Sequence, residues 1–161
     1  MAGSPLAAAA GLATFSPWAR LGEASRSAPT EPGVYLARSG PDGPLVYVGH
    51  AGERAASRPP GLRGRLSRYA SGKAAVSGLG EVVLDRALAD PGFLGERLKL
   101  AEQGQAGRTT DWARAALAWA DVHVAWAVTA EKASAKALEE QLLTRLAQHP
   151  LWNRQRPLAR G

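Results

Sequence analysis

The stretch Pro32-Gly33-Val34-Tyr35-Leu36-Ala37-Arg38, followed after a short gap by Leu45-Val46-Tyr47-Val48-Gly49-His50, decides how the rest of the chain is read. Both runs are rich in β-branched and aromatic residues, which suit a half-buried pleated surface. Ser39-Gly40-Pro41-Asp42-Gly43-Pro44 between them is dense in turn formers. Val34 to Arg38 and Leu45 to Gly49 are therefore expected as the two strands of a hairpin. Alternation sends Val34, Leu36, Val46 and Val48 to one face and leaves Tyr35 and Tyr47 together on the other. The two phenols either pack there as ordinary strand formers or offer their hydroxyls to a ligand. Gly49, just past the second tyrosine, suits a backbone that a ligand approaches closely and equally suits the end of a strand.

Downstream, Leu62, Leu66 and Tyr69 recur at helical spacing, which predicts a short basic helix over Gly61 to Lys73, ending near Ser71-Gly72. Further helices are expected over Glu81 to Leu88, from Asp90-Pro91 onward, and over Thr110 to Trp119, with Trp112 and Trp119 packing on one face of the last. Asp121 to Thr129 alternates with period two and predicts a third strand with Val122, Val124, Trp126 and Val128 on one face. His123 falls on the opposite, sheet-surface side. A strong helix follows from Glu131 to about Gln148, and Pro150 and Pro157 interrupt a tail carrying Arg154, Arg156 and Arg160. The order hairpin, helix, helical insert, strand, helix predicts an α+β fold. Its small three-stranded antiparallel sheet is flanked by helices, with the helical insertion lying between the first helix and the third strand.

Upstream, Ala2 to Pro32 is rich in Ala, Ser, Gly and Pro around one apolar anchor of Phe15, Trp18 and Leu21, and it reads as a flexible arm. The expected organisation is an arm over 1–31, a single domain over 32–153 with its insert at 74–120, and a basic tail over 154–161. At 161 residues and 45% apolar content the chain is long enough for one ordinary core. It has no cysteine, which excludes disulfides, thiolate catalysis and cysteine-rich zinc modules, and leaves His50, His123, His149 and the carboxylates as metal ligands. No stretch reads as a membrane span, and the opening alanine run lacks the charged leader of a secretory signal, so a cytoplasmic protein is expected. The formal charge of +6 and pI near 10.3 favour a polyanionic partner, although an arginine- and alanine-rich composition also arises from genome base composition.

Within the last helix the apolar stripe of Ala135, Leu138, Leu142 and Leu146 encloses Glu139, whereas Glu140 points away beside Lys136. A core-facing carboxylate needs an ion-pair partner or a bound cation. The densest positive run, Arg54, Arg58, Arg63, Arg65, Arg68 and Lys73 against the single acid Glu53, borders the tyrosine pair. Most of these side chains are expected to face solvent or DNA phosphate. Arg65 lies one turn before Tyr69 on the same side, where a guanidinium can reach a phosphate with two parallel hydrogen bonds.

Pro32-Gly33-Val34-Tyr35, Val46-Tyr47-Val48-Gly49-His50, Gly64-Arg65-Leu66-Ser67-Arg68-Tyr69, Leu138-Glu139-Glu140-Gln141-Leu142-Leu143 and Trp152-Asn153, in that order, resemble the motifs of the GIY-YIG nuclease superfamily over roughly Pro32 to Asn153. The resemblance implies a DNA endonuclease in which Tyr35 and Tyr47 are the two motif tyrosines, one serving as or orienting the general base. It makes Glu139 the single metal-ligating carboxylate, Arg65 the ligand of the scissile phosphate, and Tyr69 and Asn153 supporting residues. His50, where relatives often carry lysine or another polar residue, would help accept a proton. One carboxylate with phosphate oxygens and waters suits Mg²⁺ or Mn²⁺ in a one-metal hydrolysis. A phenol of ordinary pKa about 10 is a poor base at neutral pH, so Arg65, the metal and His50 are expected to lower it.

The chain departs from the family pattern in extra sequence between Gly49 and Arg65, where the spacing to Tyr69 favours Arg65 over Arg63, and in the long insert. The insert would read DNA, bind a partner or brace the sheet. Cleavage of both strands calls for a homodimer or two events, and specificity calls for the insert, the arms or a partner. The competing expectations are a catalytically inactive nucleic-acid-binding or adaptor module on the same fold, and a helical interaction protein, which would leave Glu139 far from both tyrosines.

Overall fold

The computed structural model describes residues 4–53 and 59–154. In chain order the elements are α1 (Pro5–Ala10), β1 (Ala19–Arg20), α2 (Leu21–Ser27), β2 (Gly33–Ser39), β3 (Leu45–Ala51), α3 (Gly61–Ala70), α4 (Gly78–Leu88), α5 (Pro91–Glu102), α6 (Thr109–Trp119), β4 (Val122–Val128) and α7 (Lys132–Arg145). The fold is α+β. Among the described residues the sheet is antiparallel throughout and has four strands in the order β1-β4-β2-β3, one more than the expected three. The added strand β1 pairs Ala19 with Val124 and Arg20 with His123. Two residues are too few for an alternating pattern, which is why the sequence carries no signal of it.

Two apolar cores lie on opposite faces of this sheet. One gathers Tyr35, Ala37, Val46, Val122 and Val124 with Leu62, Leu66 and Tyr69 of α3, Leu79, Val82 and Val83 of α4, and Ala116 and Leu117 of α6. The other joins Val34, Leu36, Leu45 and Val48 to Leu142, Leu143 and Leu146 of α7, with Ala9 of α1. Leu142 and Leu146 are fully buried, and each such side chain stabilises the fold by roughly 1.5–3 kcal/mol. β2 is central and its Val34 to Ala37 are buried, so it holds both layers.

The strand face assignments hold for Val34, Leu36 and Val48, but Val46 lies with the tyrosines rather than opposite them. The ladder runs Ala37 to Tyr47 and then Arg38 to Leu45, so Val46 is the extra residue of a β-bulge, and a bulge resets the alternation that follows it. His123 is likewise buried, at 6% exposure, instead of facing solvent. Its neighbour Arg20 on β1 covers that part of β4, and Nδ1 donates to the Asp121 carbonyl at 2.9 Å. The segment read as an arm is part of the body over residues 4–31: α1 contributes Ala9 to one core, and α2 contributes Leu21 and Ala24 to the other. No helix among the described residues is long and apolar enough to cross a membrane.

Candidate active site

β3 is one of the two edge strands of the described sheet, and Leu151 to Arg154 lie along its open side. The Trp152 amide donates to the Val46 carbonyl at 2.6 Å. Asn153 then uses both ends of its amide on one residue: the Val48 N–H donates to Oδ1 at 3.1 Å and Nδ2 donates to the Val48 carbonyl at 2.8 Å. Arg154 follows, with Nη1 3.3 Å from Glu81 of α4 and Nη2 paired with Asp85. These contacts enclose a cleft of about 300 Å³ lined by Tyr47, Gly78, Glu81, Glu139, Asn153 and Arg154, with Val48, Val82 and Leu143 completing its wall. It opens across the sheet edge, between α4 on one face and α7 on the other.

Tyr47 and His50 are three places apart on a strand, so they project to opposite faces. Tyr47 packs against the core that carries Tyr35 and Tyr69. His50 meets α7, where its Nδ1 lies 2.8 Å from Oε2 of Glu139. With Glu139 ionised, the imidazole is the donor in that bond. Both side chains are about three-quarters covered, at 25% and 21% exposure. The misplaced carboxylate of the apolar stripe therefore does have a partner, yet it also lines the cleft.

Tyr35 is not in the cleft wall. Its phenol is buried and shares a 2.7 Å hydrogen bond with Tyr69, whose ring meets it edge-on at 6.0 Å between centroids, while Tyr47 stacks on its other side at 6.1 Å. Tyr69 in turn accepts the Leu79 amide at the start of α4, 3.3 Å away. Two glycines make room for this cluster. A Cβ on Gly49 would stand 2.3 Å from Cζ and Oη of Tyr35, so the space beside the strand is filled by that ring and not by a ligand. Gly78 has φ +54°, a backbone conformation open chiefly to glycine, and a Cβ there would lie 2.3 Å from the Tyr69 hydroxyl.

Burial raises the Tyr47 phenol well above its usual range, with Tyr69 and Glu139 pushing the same way and Arg65 opposing them. Tyr35 is likewise raised, again first by burial and then by its neighbours Tyr69 and Tyr47. Arg65 does push both phenols downward, as expected of it, but in the chain by itself desolvation outweighs the guanidinium. Arg65 belongs to this inner group. Burial opposes its charge, but Tyr35, Tyr69 and Tyr47 outweigh that penalty and hold its pKa above the ordinary value.

The remaining arginines are less convergent. Arg63 turns back, Nε donating to the Ala28 carbonyl at 2.7 Å, while Arg68 and Lys73 are exposed. Arg54 and Arg58 lie outside the described residues. Glu81 and Arg154 were not singled out from sequence, since no periodicity announces that a tail after Pro150 will cross the sheet edge and meet α4. Hard oxygen donors from Glu139 and Glu81 face the same cleft, and no hydrogen bond among the described residues reaches Oε1 of Glu139. This donor chemistry fits a dication such as Mg²⁺ that keeps most of its waters, although no three acidic or histidine side chains converge among the described residues. No family model, curated protein or solved structure matches the chain.

Proposed function

We propose that the chain is a metal-dependent endonuclease, of the GIY-YIG type and cytoplasmic, that hydrolyses DNA phosphodiester bonds. The observation that carries this reading is the meeting of Tyr47 of β3, Glu139 of α7 and Asn153 of the segment after α7 in one cleft. Their convergence supports the reading because a chance set of motifs need not meet in one place. Phosphodiester hydrolysis needs a positioned water, stabilisation of the charge on the phosphoryl oxygens, and relief of the departing 3′ oxygen. Glu139 would hold Mg²⁺ or Mn²⁺, which supplies charge stabilisation to the phosphoryl group when bound.

The side chains supply the rest. Arg65, firmly protonated among the phenols, offers paired N–H donors to a phosphate. Tyr47, whose phenol keeps its proton, orients the attacking water rather than deprotonating it. His50 has Nδ1 engaged by Glu139, and its Nε2 would take that water's proton. As the water oxygen bonds to phosphorus, the bond to the 3′ oxygen breaks and that oxygen is protonated from solvent. Tyr35 and Tyr69 support Tyr47 from within the core.

The test is nicking of supercoiled plasmid with Mg²⁺, with EDTA, and with Glu139→Ala and Arg65→Ala. Metal-dependent nicking that falls by about 10²-fold or more in each variant is expected, while salt-sensitive DNA binding persists. Full activity in Glu139→Ala overturns the assignment. Salt-sensitive binding without cleavage on any substrate points instead to the adaptor reading.

A further inference from the structure

We propose that His50 is a positioning residue for Glu139: its imidazole fixes one carboxylate oxygen and leaves the other as the oxygen offered to a divalent cation at the cleft. The proposal rests on the metal-dependent reading above and assigns a separate task to the Nδ1 end of the ring. Glu139 is the acid of α7 that lines the cleft, and among the described residues its carboxylate takes part in a hydrogen bond on Oε2 alone, at 2.8 Å. A glutamate has three side-chain torsions, and an unanchored one samples many rotamers. Here the anchor is a ring on an edge strand, next to Gly49 and two places after Val48, whose N–H and carbonyl are both bonded by the Asn153 amide.

The bond therefore does two things to the carboxylate. It selects a rotamer, and it removes one of the two oxygens from competition, so that a cation meets a single Glu139 oxygen and fills most of its other positions with water and phosphate. Mg²⁺ tolerates this arrangement because it dehydrates reluctantly. Partners that orient a ligating group in this way commonly govern about 10–100-fold in metal affinity.

Mn²⁺ binding to the full chain, followed by calorimetry and by electron paramagnetic resonance at pH 8 without DNA, reads this without reference to turnover. Glu139→Gln sets the floor. His50→Ala is expected to weaken Mn²⁺ about 10–100-fold. His50→Asn, whose side-chain N–H sits close to where Nδ1 stood, is expected to recover most of the loss, and His50→Gln, with its N–H one methylene further out, to recover less. The Asn and Gln comparison stands even where the alanine variant fails to fold. A tether without a positioning role would lower the metal-free melting temperature of His50→Ala and leave Mn²⁺ affinity at the wild-type value, which overturns the proposal. Asn no better than Ala and Gln also overturns it, because direct ligation by the imidazole then explains the loss. A wild-type chain that takes up no Mn²⁺ overturns the metal-dependent reading itself, and the positioning role with it.

Discussion

Ionising Tyr35 would set a charge among apolar side chains and beside two other phenols, so the folded chain holds it neutral, and Tyr47 behaves the same way in milder form. Both pKa values are raised, so the sign of the linkage follows directly. An unfolded tyrosine titrates near 10; the folded state favours the protonated form, and its stabilising contribution is complete below that pH and is lost as the pH climbs toward the folded values. Melting temperature should therefore fall progressively as the pH rises above about 10, with a shallower fall in Tyr35→Phe. The phenolate absorbance of these two rings should emerge together with unfolding rather than before it. The two tyrosines should also separate functionally. Tyr35→Phe removes the bond to Tyr69 and should cost about 1–2 kcal/mol in denaturant unfolding with cleavage nearly retained, whereas Tyr47→Phe should lower the cleavage rate with stability nearly retained. Equal rate losses in both would contradict the distinction drawn from their burial.

At the level of elements, Gly49 is the point where β3 and the tyrosine cluster constrain each other. Gly49→Ala forces the Tyr35 ring aside in a packed core, an overpacking effect of about 1–3 kcal/mol, and chemical denaturation should register it. The long elements were legible because their periods are unambiguous: the hairpin by alternation and turn residues, β4 by its run of alternate apolar residues, and α7 by a stripe that also exposed Glu139 as anomalous. Tyr47 and Glu139 could thus be placed in advance, whereas Asn153 was named only by the family resemblance. The bulge at Val46 was not legible, since nothing in Leu45-Val46-Tyr47 marks an extra residue until its pairing with β2 is known. Nor was the pairing of His50 with Glu139, which depends on how α7 is rotated over the sheet. Periodicity reports which way a side chain leaves its own element and is silent about what waits across the gap.

In the molecule as a whole, residues 151–154 complete both the sheet and the cleft: Leu151 is buried against α7, Trp152 and Asn153 occupy the β3 backbone, and Arg154 pairs with α4. Ending the chain at Pro150 should lower the melting temperature and expose unpaired strand groups, a known route to association; size-exclusion chromatography would show the shift to larger species, and an unchanged monomer with unchanged melting would argue against the role. Arg154→Ala should have a smaller effect, since its exposed ion pairs contribute little. The strand order also sets a timetable. β2 and β3 are neighbours in sequence, so their hairpin closes over a short loop, whereas β4 reaches β2 by pairing Val128 with Gly33 across most of the chain. Distant pairings form late because loop closure must precede any gain from them. On refolding, Tyr47 and His50 should be in place with the early hairpin, but Glu139 and Asn153 arrive after β4 has docked, so the return of metal binding should lag behind the return of strand circular dichroism.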